Sequence, residues 1–423
     1  MAEKRYDWRN GPAEIQQHSI AKHNVLRSYL AEYFQTLVAS PGQQEFRLTI
    51  VDAFAGGGLY VHQDTRQLVK GSPFIFLDAV REAKFKINRD RRNPVDLKVD
   101  YFFIDEDRRA CAHLEKVLRE EGFGDQIGST VKIHNARFQD EVTSIVDFIA
   151  KKSPRNGRSI FSLDQYGYKE VPTNLIRGIF ARLPRAEIIL TFAVDSLLNF
   201  ASSSGITQDL LASIGVPDVL QGRTWDEIKS SDKDWRFFVQ SNLYRSLVSR
   251  CGAKHYTPFF VRNKQGHGDY WLIHLSQHHR ARDVMTEVHW ANNNYFIHYG
   301  GAGLDMFQMI GYDPQGDAAF NGQSRLGFEF DDVARKASIA ALNEQIPHRV
   351  YAHDDGVSFG ELFISTCNES PASAAIYRSS IGDLMEQGLV EVITVGGGAR
   401  RSAKALDASD RILPPRQRRL FVV

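Results

Sequence analysis

Three aspartates each follow a short apolar run of the sequence, and their carboxylates are the first candidates for ligand chemistry. They are Asp52, Asp105 and Asp164. Runs rich in β-branched and aromatic residues are typical of strands buried in a parallel sheet. Because the carboxyl ends of parallel strands meet at one edge of the sheet, we expect the three side chains to lie near one another. Carboxylates accept hydrogen bonds from hydroxyl groups, so the sequence predicts a nucleoside-type site at that edge.

Three consecutive glycines come shortly after the first of these aspartates. Asp52 and Phe54 lead into Gly56, Gly57 and Gly58. Glycine lets the backbone approach a ligand closely and adopt positive φ without a steric penalty. The spacing is not the G-x-G-x-x-G of a nicotinamide-binding turn. Strand, acid, aromatic residue and glycine turn instead resemble the first motif of S-adenosylmethionine (SAM) dependent methyltransferases. That resemblance implies that these five residues bind SAM as cofactor, and a tight turn without a ligand is the alternative.

Two further strand ends complete the predicted cofactor site. In a Rossmann-like site, an acid at the end of the second strand accepts hydrogen bonds from both ribose hydroxyls, and this position belongs to Asp105. The third predicted strand ends at Asn135 and Ala136, a position that faces the adenine ring in this architecture.

The stretch Asp164-Gln165-Tyr166-Gly167 is the catalytic candidate. It resembles the Asp/Asn-Pro-Pro-Tyr/Phe motif of amino-methyltransferases that act on adenine, although both prolines are absent. In that motif the side-chain oxygen accepts a hydrogen bond from the exocyclic amine, and the aromatic ring stacks on the base. Asp164 and Tyr166 would take these two roles. The alternative is a strand-to-loop turn in which Asp164 caps backbone N–H groups.

Strands and helices alternate over the first part of the chain, which predicts an α/β protein with a doubly wound, Rossmann-like sheet. The five predicted strands are 48–52, 99–104, 130–134, 159–163 and 187–192. A hairpin is then predicted, with strands 255–262 and 270–274 around a glycine-containing turn at 263–268. Such a hairpin is the usual last step of the SAM methyltransferase fold.

One amphipathic helix precedes the sheet and is predicted over residues 14–38. It carries His18, Lys22 and His23 on or near one face. These side chains either belong to a solvated face or overhang the cofactor crevice.

A second helix is predicted after the glycine turn, with Ser72 as N-cap and Pro73 at the first helical position. The basic stretch 84–98 that follows predicts a solvated surface turn.

Changes in character along the chain predict its domains. A methyltransferase domain covers 1–300, with a helical insertion at about 200–250, and a connector covers 301–345. A winged-helix-like module covers 346–423, because two helices, 358–366 and 373–387, are followed by strand 389–394.

Basic residues follow the predicted strand of this module. Arg400, Arg401 and Lys404 are the candidates for contacts with DNA or RNA phosphates. Winged helices also dock proteins, so a protein partner is the alternative.

Composition limits the remaining possibilities. The chain has 423 residues, a net charge of +1 and 43% hydrophobic residues, which is typical of a globular protein without a global basic field. Cys111, Cys251 and Cys367 lie far apart without a CxxC pair, which favours a reducing cytoplasm and no metal site made by this chain alone. The N-terminal stretch has no apolar core like that of a signal peptide, and no run of about 18 apolar residues appears, so no membrane span is expected.

Several motifs together resemble one family, the three-Cys-motif partner (TcmP) proteins. The matching stretches, in order, are 18–26, Asp52 to Gly58, Gly71-Ser72-Pro73 and Leu163 to Gly167. The family typically has proline where this chain has Gly57 and Gln165. The resemblance covers about residues 15–300. It implies a SAM-methyltransferase-like fold in bacterial or phage-associated operons and a partner protein with a three-cysteine motif, which the cysteines of this chain do not form.

Two functions follow from these observations. The first is a SAM-dependent methyltransferase acting on nucleic acid, with the amino group of a base as the favoured acceptor. The second is a non-catalytic scaffold of the same fold that docks a three-cysteine partner. The missing prolines favour the scaffold, whereas the three retained acids favour the enzyme.

Overall fold

The computed structural model describes residues 6–9, 11–15, 17–40, 42–165, 168–200, 206–231, 235–261, 270–293, 295–296, 301–308 and 328–415. The chain divides into two compact units. The first comprises Met1–Trp235 and Asn242–Val288, and the second comprises Arg236–Ser241 and His289–Val423. Within the described ranges, none of the helices combines the length and apolar character needed to cross a membrane.

The first unit is built around a seven-stranded sheet and a small three-stranded sheet. The strands are β1 (Ala13–Ile15), β2 (Glu45–Asp52), β3 (Leu59–His62), β4 (Leu68–Lys70), β5 (Asp96–Asp105), β6 (Val131–Asn135), β7 (Ser159–Leu163), β8 (Ala186–Phe192), β9 (His255–Val261) and β10 (Tyr270–Ser276). The large sheet has the order β6-β5-β2-β7-β8-β10-β9. Its first five strands are parallel, and β10 pairs antiparallel with both β8 and β9.

Helices connect these strands. Up to residue 291 they are α1 (Gln17–Leu37), α2 (Ser72–Asn88), α3 (Arg108–Glu120), α4 (Phe138–Lys152), α5 (Thr173–Arg182), α6 (Val194–Phe200), α7 (Ile206–Ser213), α8 (Trp225–Ser231), α9 (Trp235–Cys251) and α10 (His279–Ala291). Strands β7 and β8 are buried along their whole length, as expected for parallel strands covered on both faces. One hydrophobic cluster joins α1 and α2 to β2 and β5 through Leu30, Phe34, Phe74, Ile50 and Phe103.

The five predicted strands and the hairpin are present, but the turn 263–268 lies outside the described residues. Three local predictions are wrong. Residues 13–15 form strand β1 rather than the start of a helix, because they pair in parallel with β3. The N-cap of α2 is Gly71, and Ser72 is the first helical residue.

The basic stretch 84–98 is the third wrong prediction, since it is not one surface turn. Helix α2 continues to Asn88, and β5 begins at Asp96. The Asn88 side chain donates to Val95 O at 3.0 Å and accepts from Val95 N at 2.8 Å, so it closes the short connection between the two elements.

The second unit has two small sheets and three helices among its described residues. They are β11 (Tyr295–Phe296), β12 (Phe328–Glu329), α11 (Asp332–Tyr351), β13 (Val357–Ser358), α12 (Phe359–Thr366), α13 (Ala374–Glu386), β14 (Glu391–Ile393) and β15 (Arg411–Leu413). Ser358 caps α12 in a capping box with Glu361, and Ser373 caps α13. Strands β13, β15 and β14 form an antiparallel sheet. In the sequence, β13 precedes the two capped helices, and β14 and β15 follow them.

Candidate functional site

A cavity of about 500 Å³ lies at the carboxyl edge of the large sheet. Strand order reverses between β2 and β7, and such switch points are where open α/β sheets bind ligands. The volume is in the range of small-molecule sites. Of the residues predicted to bind the cofactor or to act in catalysis, five line this cavity: Phe54, Gly56, Asp105, Ala136 and Asp164.

The other predicted residues of the site lie elsewhere. Asp52 is fully buried at the end of β2, and Gly57, Gly58 and Asn135 are absent from the lining of the cavity. Tyr166 lies outside the described residues. The edge of the sheet therefore gathers all three aspartates, but only Asp105 and Asp164 face the cavity.

The three glycines of the turn serve different purposes. Gly56 has φ +60° and lines the cavity, and a Cβ at this position would overlap the Tyr60 hydroxyl. A Cβ on Gly57 would lie 2.6 Å from Cη2 of Trp8, whose indole covers it. A Cβ on Gly58, at φ +81°, would lie 2.7 Å from Leu114 of α3. Packing against neighbouring side chains therefore explains all three glycines, and Gly56 is the one of the three that also lines the cavity.

Asp105 ties the glycine turn to the second strand end. Its Oδ2 accepts a hydrogen bond from Gly56 N at 2.9 Å, and its Oδ1 accepts one from Asp107 N at 2.8 Å. Burial is the main cause that raises the pKa of Asp105. Each carboxylate oxygen has two lone pairs, so Asp105 retains acceptor capacity for a ligand in the cavity. Asn135 supports this corner, because its Nδ2 donates to the carbonyls of Asp105 and Glu106 at 3.1 and 2.9 Å.

Asp164 forms an ion pair with a residue from the first helix. Lys22 Nζ of α1 lies 2.5 Å from Asp164 Oδ1, and Lys22 itself is only 8% exposed. Burial raises the pKa of Asp164, but the charge and hydrogen bond of Lys22 outweigh this effect, so its pKa lies below the ordinary value. Asp164 is therefore an ionised acceptor at neutral pH.

His23 also lines the cavity and is adjacent to Lys22 in sequence. Among the described residues, its buried Nδ1 has no hydrogen-bond partner. Burial lowers the pKa of His23 to about 4, and the negative charge of Asp164 only partly opposes this. The imidazole is therefore neutral at pH 7. Of the three residues named on this helix face, His23 lines the cavity and Lys22 pairs with Asp164, which lines it. The His18 side chain lies outside the described part of the chain.

Gln165 occupies the position where both similar motifs have proline, and its side chain fixes the loop. Its Nε2 donates to Thr191 O at 3.1 Å, and its Oε1 accepts from Glu170 N at 3.0 Å and Val171 N at 3.1 Å. The residue is 2% exposed. Three hydrogen bonds from a buried amide thus hold the loop after β7.

We expect Gln165→Ala to lower the free energy of unfolding by about 2–4 kcal/mol, because it leaves buried backbone groups without partners. Amide hydrogen exchange at Glu170 and Val171 should become faster at the same time. Gln165→Glu retains the acceptor oxygen and loses the donor, so it should protect these two amides better than alanine does. Equal protection in the alanine variant and the wild type would show that the loop is fixed by other contacts.

The N-terminal segment forms a wall of the cavity that the sequence analysis missed. Trp8 and Tyr6 contact Tyr60 with ring centroids 5.1 and 5.3 Å apart, and all three side chains line the cavity. The parallel pairing of β1 with β3 holds this segment across the glycine turn. The sequence feature that could have indicated this wall is the pair of aromatic residues, Tyr6 and Trp8, ahead of the three-residue strand β1.

In the second unit, the three predicted nucleic-acid residues differ in their surroundings. Arg400 Nε donates to Asp410 at 2.8 Å, and Asp410 is 2% exposed, so Arg400 is engaged in a partly buried ion pair. Arg401 and Lys404 are exposed and line a groove of about 720 Å³ beside α13. Arg378 and Arg400 line the same groove, as do the acidic residues Asp383 and Glu386, so its charge is mixed with an excess of basic residues.

Residues 311–397 match the sequence model of a family described as a GMT-like wHTH domain. The C-terminal part of the chain thus carries a winged helix-turn-helix domain, which includes α11, α12 and α13. No curated protein matches this chain.

Several solved structures are similar to the chain at low identity. A protein from Legionella pneumophila is 11% identical with a TM-score of 0.34, over 60% of this chain and 84% of that one. A candidate SAM-dependent methyltransferase from Methanococcus maripaludis is 10% identical with a TM-score of 0.27, over 66% and 97% of the two chains. Geranyl diphosphate C-methyltransferase from Streptomyces coelicolor, in complex with S-adenosyl-L-homocysteine, is 11% identical with a TM-score of 0.23, over 58% and 78%. Likeness at this level carries no information on ligand or substrate.

Proposed function

We propose that this chain is a SAM-dependent methyltransferase with a doubly wound, methyltransferase-like first unit, and that it acts on nucleic acid. The observation that carries this proposal is the cavity at the switch point of the sheet. It combines the glycine turn at Gly56, the carboxylate of Asp105 and the ion-paired carboxylate of Asp164. A cofactor and an acceptor can therefore share one cavity.

The lining residues suit SAM in their chemistry. Asp105 would accept hydrogen bonds from the ribose hydroxyls, Gly56 would contact the cofactor through its backbone, and Ala136 would border the adenine. A Cβ at Gly56 would overlap the Tyr60 hydroxyl and the residue has φ +60°, so glycine is required there by the turn itself. When bound, SAM supplies an electrophilic methyl group.

The residues around the acceptor suit an amine. Asp164, kept ionised by Lys22, would accept a hydrogen bond from the amino group of a base and orient it. Neutral His23 lies in the same cavity and would accept the proton that the amine loses. Tyr166 keeps its proposed role in stacking on the base, by resemblance to the adenine amino-methyltransferase motif.

Removing the Asp105 carboxylate should weaken SAM binding. We expect micromolar affinity for the wild type, and a loss of about 2–3 kcal/mol for Asp105→Ala, because charge-assisted hydrogen bonds to the ribose disappear. Calorimetry with SAM measures both values. Glu120→Ala, which removes an exposed carboxylate at the end of α3, is the matched control and should bind like the wild type. Equal affinity of all three proteins would disprove the ribose assignment.

The winged helix-turn-helix domain supports nucleic acid as the substrate class. Replacing Arg401 and Lys404 together by glutamine should weaken binding to mixed-sequence DNA or RNA and reduce the log–log salt slope by about 2, one unit for each lost phosphate contact. Lys336→Gln, an exposed charge on α11, is the control. An unchanged slope in the double variant would place the phosphate contacts elsewhere.

The mixed charge of the groove beside α13 favours a second candidate function, docking of a protein. Asp383 and Glu386 would repel phosphates there but would suit a protein surface. In this case the chain is a scaffold that binds a three-cysteine-motif protein. Co-purification with that protein, combined with no transfer of labelled methyl from SAM to DNA or RNA, would establish the scaffold in place of the enzyme.

A further inference from the structure

A second cavity, of about 350 Å³, lies at the opposite edge of the same sheet. It is located where β7 and β8 begin and β10 ends, and Tyr33 and Leu37 from the C-terminal half of α1 line it. Ligands of open α/β sheets bind at the carboxyl edge, so the fold itself gives no reason for a site here. The side chains that line the cavity do give a reason to expect a ligand there.

Two arginines face this cavity without a carboxylate partner among the described residues. They are Arg158, directly before β7, and Arg185, directly before β8. The Arg158 guanidinium stacks on the Phe46 ring, 5.3 Å from its centroid, which holds the group in place. Burial is the main cause that lowers the pKa of Arg158; Tyr33 opposes this effect, and the like charge of Arg185 adds to it.

Two acidic groups at or beside this cavity have other partners. Glu187 lines the cavity, but it accepts a hydrogen bond from the Tyr29 hydroxyl, and its Oε2 lies 3.1 Å from His274 Nε2. Asp283 pairs with Arg280, another lining residue, at 2.9 Å. Arg158, which is half-buried, and Arg185, which is exposed, thus both line a partly apolar cavity, and an anion from outside the chain would neutralise them.

We propose that this cavity binds a phosphate monoester that carries an aromatic or other apolar group. A guanidinium fork matches phosphate oxygens bidentately, so Arg158 and Arg185 would hold the phosphate. Tyr33, Leu37 and Val284 would contact the apolar part. A site at the amino edge is separate from the cavity assigned to SAM, so its occupation does not depend on the proposed methyl transfer.

Phenyl phosphate is a suitable probe, and calorimetry with the full chain measures its binding. We expect Arg158→Gln and Arg185→Gln each to weaken binding at least ten-fold, since each removes a charged hydrogen-bonding partner. Arg155→Gln removes a nearby exposed charge that does not line the cavity and should bind like the wild type. Circular dichroism and the melting temperature identify any variant that fails to fold, and the second arginine variant then remains as the test.

Three further ligands and one variant complete the experiment. Phenol lacks the anion and inorganic phosphate lacks the ring, so both should bind at least ten-fold more weakly than phenyl phosphate. Asp105→Ala, which alters the other cavity, should leave phenyl phosphate binding unchanged and thus separates this site from the proposed SAM site. Failure of phenyl phosphate to bind at millimolar concentration, equal losses in all three arginine variants, or benzoate binding as tightly as phenyl phosphate would overturn the proposal.

Discussion

Asp164→Ala is expected to reduce methyl transfer at least 100-fold while leaving the affinity for SAM nearly unchanged. A 100-fold loss corresponds to about 2.7 kcal/mol of the activation barrier. The reason is that the carboxylate would act on the acceptor amine in the transition state and would make no contact with the cofactor. Transfer of tritiated methyl from SAM into mixed cellular DNA and RNA measures the rate, and calorimetry measures the affinity.

Two further variants separate orientation of the acceptor from loss of the ion pair. Asp164→Asn keeps an acceptor oxygen and should retain measurable activity, because both Asp and Asn occur in the motif that this stretch resembles. Lys22→Met removes the cation that keeps Asp164 ionised, so the pKa of Asp164 should rise and activity should fall at low pH and recover as pH increases. Label transfer by Asp164→Ala at the wild-type rate would reduce Asp164 to a structural residue of the turn.

The sequence predicts the sheet well because each strand corresponds to a local pattern of residues. The runs before Asp52, Asp105 and Asp164 are apolar and β-branched, and five strands appear close to their predicted limits. Their alternation with helices restricts the topology to few arrangements. The carboxyl edge, and with it Gly56, Asp105 and Asp164, could therefore be located without coordinates.

The interactions that define the candidate site could not be predicted in the same way, because they join distant parts of the chain. Lys22 and Asp164 are 142 positions apart, and no local pattern indicates that they pair. Trp8 covers Gly57 only because β1 pairs with β3. The same tertiary pairing turned the predicted start of a helix at residue 14 into a strand.

Gln165 shows how a departure from a motif can be compensated. The absence of proline suggests a less rigid loop, yet the buried amide makes three hydrogen bonds to backbone groups of β8 and of the loop after β7. The sequence identifies the substitution, but only the geometry shows what replaces the rigidity of the proline ring.

Asp52 leads to the second large expected effect, which concerns stability. The side chain is 0% exposed, and burial raises its pKa to about 7, with a smaller contribution from the negative charge of Asp164. The Ser72 hydroxyl and the Phe54 amide lower the pKa, but neither meets the geometry of a full hydrogen bond. The folded state therefore binds a proton more tightly than the unfolded state, whose Asp52 has an ordinary pKa near 3.8.

The sign of the pH dependence follows from this difference. Below the unfolded pKa the carboxyl is protonated in both states and contributes nothing. As pH rises to about 7, only the unfolded chain loses the proton, so the free energy of unfolding falls, and above about 7 the loss is complete. A difference of about three pKa units corresponds to about 4 kcal/mol. His23 acts in the opposite direction over an overlapping range, because its lowered pKa reduces stability as pH falls from about 6.5 towards 4.

Asp52→Asn isolates the contribution of Asp52, since His23 is present in both proteins and its effect cancels in the comparison. We expect the variant to gain about 4 kcal/mol relative to the wild type between pH 4 and pH 8, and most of this gain should develop between pH 4 and 7. Urea unfolding at each pH, with hydrogen exchange of the β2 amides as the readout, measures the stability of the first unit. Ser72→Ala is the matched control: it removes a group that lowers the pKa of Asp52, so its pH-dependent loss of stability should extend to higher pH than that of the wild type. Parallel stability curves for wild type and Asp52→Asn would contradict a protonated Asp52, and would indicate that water or a counter-charge reaches the end of β2.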